Sequence, residues 1–241
     1  GILTYILGAY FIKEDRWGQL SAAFFLISAL VLPIGIFTAY QSAGYDVGSP
    51  LVMVVITAVL TALFGLSYWF YRRVIFTLFT IIFATGLYFS GLIHIMGNNP
   101  LFQETYIYQP LVLGLAYLLL GYQFSTDRAN APLTGWLYTF GSISFFVSVL
   151  SLGGYFPSQN IFWELAAPLL IAGEIALGIR VKSRSLLIWG SIFLMIYILK
   201  ITGEYFSQGL GWPLALVIAG FSLIGLGYYL FYLNKKYLSA N

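Results

Sequence analysis

Apolar runs long enough to cross a bilayer follow one another along this chain with only short polar breaks, and that pattern restricts the fold more than any motif. A helix needs about 20 apolar residues to span the hydrocarbon core. The runs are Trp17–Tyr40, Leu51–Phe70, Val74–Met96, the shorter Pro110–Phe124, Leu133–Gly153, Ile161–Ile179, Leu186–Ser207 and Trp212–Leu233. Only 8% of residues are charged, against about a quarter in a soluble domain, and the mean hydropathy is +0.89. Eight or nine spans use up the 241 residues and leave no room among them for a soluble domain. Gly1–Ile12 is apolar but too short to cross. We read it as the surviving end of a ninth span in a fragment or processed chain, and not as a signal peptide, since no basic leader precedes it.

The basic residues give the direction of each crossing. Lys13, Arg16, Arg72, Arg73, Arg128, Arg180, Lys182, Arg184, Lys235 and Lys236 fall in alternate loops, which the positive-inside rule assigns to the cytoplasm together with the C-terminus. The six tryptophans, Trp17, Trp69, Trp136, Trp163, Trp189 and Trp212, lie near span ends, as an interfacial belt requires. Pro33 predicts a kink in the first complete span, and Gly97-Asn-Asn-Pro100 predicts a turn. The net charge of +3 is a topology signal and not a nucleic-acid signal, because it resides in these short loops.

The chain also resembles itself. Ile75–Ser90 aligns without gaps to Ile192–Ser207, with Thr85-Gly-Leu-Tyr-Phe-Ser90 against Thr202-Gly-Glu-Tyr-Phe-Ser207. A second match sets Leu7-Gly8, Phe11 and Asp15-Arg16 beside Leu120-Gly121, Phe124 and Asp127-Arg128. The unit is four helices, an even number, so both copies enter the membrane in the same direction and the repeats are parallel. The expected fold is therefore an all-α polytopic bundle, one integral membrane domain over residues 1–241. It has eight complete spans plus the partial N-terminal one, in repeat units of approximately 13–124 and 125–236.

One hairpin, Ile161–Ser207, gathers charges that the other apolar runs keep out: Glu164, Glu174, Lys200 and Glu204. Lys200 and Glu204 are four apart on one helix face and within pairing reach, and in the first repeat their positions are Phe83 and Leu87. At about 1.5 Å per residue, Lys200 lies roughly 10 Å in from Ser207 and Glu164 roughly 6 Å in from Asn160 on the adjoining arm, so the three are expected to meet in a polar pocket opening outward. The alternative is that Lys200 snorkels to the interface with nothing bound. Glu174, roughly 9 Å in from Arg180, must be protonated, paired or facing water. Its small neighbours Ala172, Gly173, Ala176 and Gly178 permit a second helix to approach. A helix-packing hydrogen bond and a proton-relay or substrate role are both open for it, and we expect it to face the bundle interior.

His94 is the only histidine and lacks a second ligand at metal spacing, so an interfacial or a hydrogen-bonded role fits it better than a metal site; it is kept as a pathway candidate. Tyr5, Tyr10, Tyr88, Tyr117, Tyr197 and Tyr205 have hydroxyls that need partners and that fit a polar path. No HExxH, GxSxG, Walker A or dinucleotide fingerprint occurs, and no cysteine, so no cofactor or metal is implied and an enzyme is not expected. Gly44-Tyr-Asp-Val-Gly48 reads as turn chemistry.

At Leu7–Trp17, Leu210-Gly-Trp-Pro213 and Leu233-Asn-Lys-Lys236 the chain resembles a broad family of bacterial multi-pass membrane proteins that share a domain of unknown function. The family has Asn-Trp after its first span where this chain has Arg16-Trp17. The resemblance implies a bacterial cytoplasmic membrane and transfers no catalytic residue. The leading expectation is a transport or substrate-binding component whose partners are the lipid bilayer and a small-molecule or ion substrate. A non-catalytic structural or assembly subunit, with an oligomeric or other subunit as partner, is the alternative, and a membrane-embedded enzyme comes third. Transport predicts a solvated cavity at Glu174 or Lys200, a structural role predicts those groups buried and mutually satisfied, and an enzyme predicts carboxylates with His94 around one cleft.

Overall fold

The computed structural model describes residues 1–11, 18–44, 46, 48–97, 106–127, 129–155 and 158–206, together with residues 220, 225, 228 and 232. Among the described residues the structure is all helix: α1 (Ile2–Phe11), α2 (Gly18–Ser42), α3 (Pro50–Tyr71), α4 (Val74–Met96), a 3-10 turn (Tyr106–Tyr108), α5 (Gln109–Thr126), α6 (Ala131–Gly153), α7 (Ile161–Val181) and α8 (Arg184–Phe206). Seven of these, α2 to α8, are long and apolar enough to cross a membrane, α5 counted with the 3-10 turn before it. The chain is thus a multi-pass membrane protein. The expected eighth span, Trp212–Leu233, lies outside the described residues apart from those four positions, as do Asp15-Arg16, Arg128 and Lys235-Lys236.

Helices are the form these segments must take, because backbone polar groups in hydrocarbon have no water to pair with and an α-helix pairs them within one segment. Their ends are set by local chemistry. Pro50, Pro110 and Pro132 sit in first turns, where a missing N–H costs nothing. Two hairpins turn through only two residues each, Arg72-Arg73 and Lys182-Ser183. Arg72 (φ 52°) and Lys182 (φ 56°) adopt the left-handed conformation there, and their N–H groups return to the Tyr68 and Ile179 carbonyls. That closure satisfies carbonyls a helix C-terminus would otherwise leave unpaired.

The helices form two compact units, residues 1–103 and 104–241. In the first, α1 packs on α2 and α3 on α4, around a core of Phe25, Ala29, Ile56, Leu60, Phe64, Phe76 and Phe79. Small polar groups add cross-links: Ser21 donates to the Gly8 carbonyl at 2.9 Å, the Tyr5 hydroxyl pairs with Ser67, and Thr57 and Ser90 share a hydrogen bond of 3.1 Å. In the second, α5 lies along α6, and α6, α7 and α8 pack on one another around Phe146, Val149, Ala167, Ile171 and Phe193. Large apolar side chains such as Leu30, Ile34, Phe70, Leu119, Leu165 and Leu169 face outward, a surface that suits lipid and not water.

Candidate functional site

Helical spacing brings the first charges together. Lys200 and Glu204 are one turn apart on α8, and Lys200 Nζ lies 3.0 Å from one Glu204 carboxylate oxygen and 3.2 Å from the other. Its second partner is Glu164 on α7, at 3.6 Å. The three side chains are 8–9% exposed. Screening by water is therefore slight, and each pairing is stronger than it would be on a wet surface.

Described residues at both ends of the segment between α6 and α7 bear on this group. Gly154, at φ 67°, turns the chain out of α6, and Asn160 N–H returns to the Gly153 carbonyl at 2.8 Å. Asn160 then caps α7, its side chain accepting from the Phe162 N–H. This places the Tyr155 ring 5.4 Å from the Lys200 ammonium, within range of the ring's negative face. Gly153 faces the same ammonium: a Cβ there would stand 4.0 Å from Nζ.

Pro168, inside α7, explains how α8 is held in register. A proline lacks the N–H that would pair with the carbonyl four residues earlier, here that of Glu164. The Tyr197 hydroxyl of α8 donates to this carbonyl at 3.1 Å. Tyr197 lies three residues before Lys200, so the bond that repairs α7 also sets the ammonium beside the Glu164 carboxylate.

Glu174 forms a separate site. It is 6% exposed and faces the interior of the second unit, with Ser142 of α6 bonded to its Oε1. Its Oε2 has no hydrogen-bond partner among the described residues and points towards Gly190 of α8, where a Cβ would lie 3.6 Å away. Glycine contacts let the helices approach so closely. A Cβ at Gly178 would stand 3.1 Å from the Leu187 backbone nitrogen, and one at Gly114 of α5 only 2.5 Å from the Phe145 nitrogen of α6.

The hairpin therefore brings Glu164, Lys200 and Glu204 together and holds Glu174 apart from them. His94 is exposed in the last turn of α4, in the first unit. Among the described residues no group of three or more histidine, aspartate or glutamate side chains is arranged to hold a metal ion. Sequence reasoning missed Ser142 and Tyr155, and it placed Tyr197 only among tyrosines in need of a partner. Pro168 was the available signal for Tyr197, because it announces an unpaired carbonyl at Glu164. No protein-family model, curated protein or solved structure matches the chain.

Proposed function

We propose that this multi-pass membrane protein is a transport component that binds a small cation or a proton at the Glu164–Lys200–Glu204 group. The observation that carries the reading is one ammonium shared by two buried carboxylates. An ion pair that merely fastens two helices needs a single acid. With a second acid the group is formally −1 when all three members are ionised, a charge that a proton or small cation neutralises. Intramembrane ionisable residues of this kind mark ion pathways and proton relays. In this reading the group lies in the outer half of a bacterial cytoplasmic membrane, and the Arg180-Val-Lys182-Ser-Arg184 end of the hairpin faces the cytoplasm with the C-terminus.

The test is flux. The purified chain in liposomes is expected to pass protons or a small cation faster than protein-free vesicles, and Glu204→Gln, which removes one acid and keeps its size, is expected to abolish the difference. A wild-type flux equal to that of empty vesicles under both proton and alkali-cation gradients overturns the proposal. The alternative of a structural or assembly subunit is favoured by what that role predicts: the acids and the ammonium are buried and find each other within the chain. It predicts no flux at all, with Glu204→Gln altering only stability.

A further inference from the structure

Counting hydrogen-bond donors at Glu174 bears on where its proton lies. Ser142 Oγ is 2.7 Å from the Tyr138 carbonyl oxygen and also bonded to Glu174 Oε1. A backbone carbonyl can only accept, and a serine hydroxyl has a single proton to give. Were Glu174 ionised, two acceptors would compete for that proton. With the acid protonated, Ser142 donates to Tyr138 and the carboxyl donates to Ser142, so both contacts are hydrogen bonds at once.

The surroundings agree. From α6, Glu174 is faced by Ser142, which also bonds the Tyr138 carbonyl; the Tyr138 ring lies against Gly121 of α5. From α8 it is faced by Gly190. The charged groups of its own helix, Arg180 and Glu164, are about 9 and 15 Å away along the axis, and Arg184 on α8 is about 9 Å along the axis from Gly190. Among the described residues no cation lies within 4.0 Å of the carboxyl, since both ion pairs belong to the Lys200 group. One carboxyl and one hydroxyl are also too few oxygens for a metal ion such as calcium or magnesium, which takes six or more ligands.

We infer that Glu174 is a proton-binding site, held here in its acid form, with Ser142 as its positioning residue and selective for a proton over other cations. It shares no residue with the Lys200 group, so it stands whether or not that group handles ions. The bound species is the carboxylic acid itself, which releases its proton to water to leave the carboxylate.

Infrared difference spectra of the full chain in phosphatidylcholine–phosphatidylglycerol vesicles test this at neutral pH. Wild type minus Glu174→Gln is expected to show one carboxylic-acid carbonyl band, shifted down in D2O and retained in a Lys200→Met background. Ser142→Ala is expected to move the band, because a hydrogen bond to the acid is lost. Glu174→Asp is expected to move the band and not abolish it, which keeps the test open if Glu174→Gln does not fold. Carboxylate bands in place of the acid band overturn the inference. So does an acid band insensitive to D2O, which would mark a sealed structural proton.

Discussion

The two units solve the same problem with different materials. In hydrocarbon there is no hydrophobic force to press one helix on another, so close packing and interhelical hydrogen bonds must hold a bundle together. Residues 1–103 rely mainly on rings: Phe64 stacks on Phe83 at 5.4 Å and meets Phe79 at a tilt at 5.3 Å, and Phe25 meets Phe76 at 4.6 Å. The second unit has ring pairs too, Phe146 with Phe193 among them, but its glycines Gly114 and Gly178 meet neighbouring backbone where Gly8 and Gly86 of the first unit meet side chains, and it buries the side chains of Glu164, Glu174, Lys200 and Glu204. With rings and a few hydroxyl hydrogen bonds, the first unit holds its helices together without an ion pair among its described residues. Cohesion alone does not require buried charge, and it is on this contrast that the proposed role of the Lys200 group rests.

The largest effects are expected at Phe64 and Lys200. Phe64 is fully buried, and Phe64→Ala should destabilise the protein by about 3–5 kcal/mol through lost packing and a cavity. Lys200→Met should cost about the same, since it leaves two buried carboxylates without their shared ammonium. What separates them is rescue. Adding Glu164→Gln and Glu204→Gln should restore most of the thermal stability of Lys200→Met in detergent micelles, and should do nothing for Phe64→Ala. If the neutralised triple variant melts as low as Lys200→Met alone, the lysine acts through packing and the contrast collapses.

The glycine contacts come next. Gly114→Ala would drive a Cβ into the α6 backbone, an overpacking worth about 1–3 kcal/mol. Gly91 of α4 has open space around its Cα, so Gly91→Ala should be neutral or slightly stabilising, because alanine is the better helix former. Chemical denaturation of the two variants side by side measures the difference. Equal stability would show that α5 and α6 can separate without cost.

How much of this was legible depends on which property each feature obeys. Val74–Met96 appears with the same bounds in the sequence and the structure because Arg73 and Gly97 end both the apolar run and the helix. Pro110–Phe124 understated α5, which continues through Ser125 to Thr126. Hydropathy measures the apolar stretch, whereas helical hydrogen bonding continues into polar residues until Asp127 leaves it. Lys200 with Glu204 followed from helical period alone, and Glu164 from a comparable depth on the adjoining arm, roughly 6 Å against roughly 10 Å. Ser142 was invisible, one of several serines on an apolar helix, because which serine meets an acid on another helix is decided by tertiary packing. Tyr155 was hidden for a related reason: its ring reaches Lys200 only because Gly154 turns the chain back over the site.

The smallest effect tests the register of the site most directly. Tyr197→Phe removes the donor that stands in for the N–H missing at Pro168, and interhelical hydrogen bonds in membranes are worth about 0.6 kcal/mol on average and at most about 1.7. Pro168→Ala returns an N–H able to bond the Glu164 carbonyl within α7, so in that background the tyrosine should matter less. A double-mutant cycle on thermal stability should therefore give a coupling energy of at least about 0.5 kcal/mol, as residues sharing one partner do. Strict additivity would mean that Tyr197 supports α8 independently of the proline. The position of Lys200 beside Glu164 would then have to come from the ion pair itself, and the carboxylates would be holding the helices as well as sharing their ammonium.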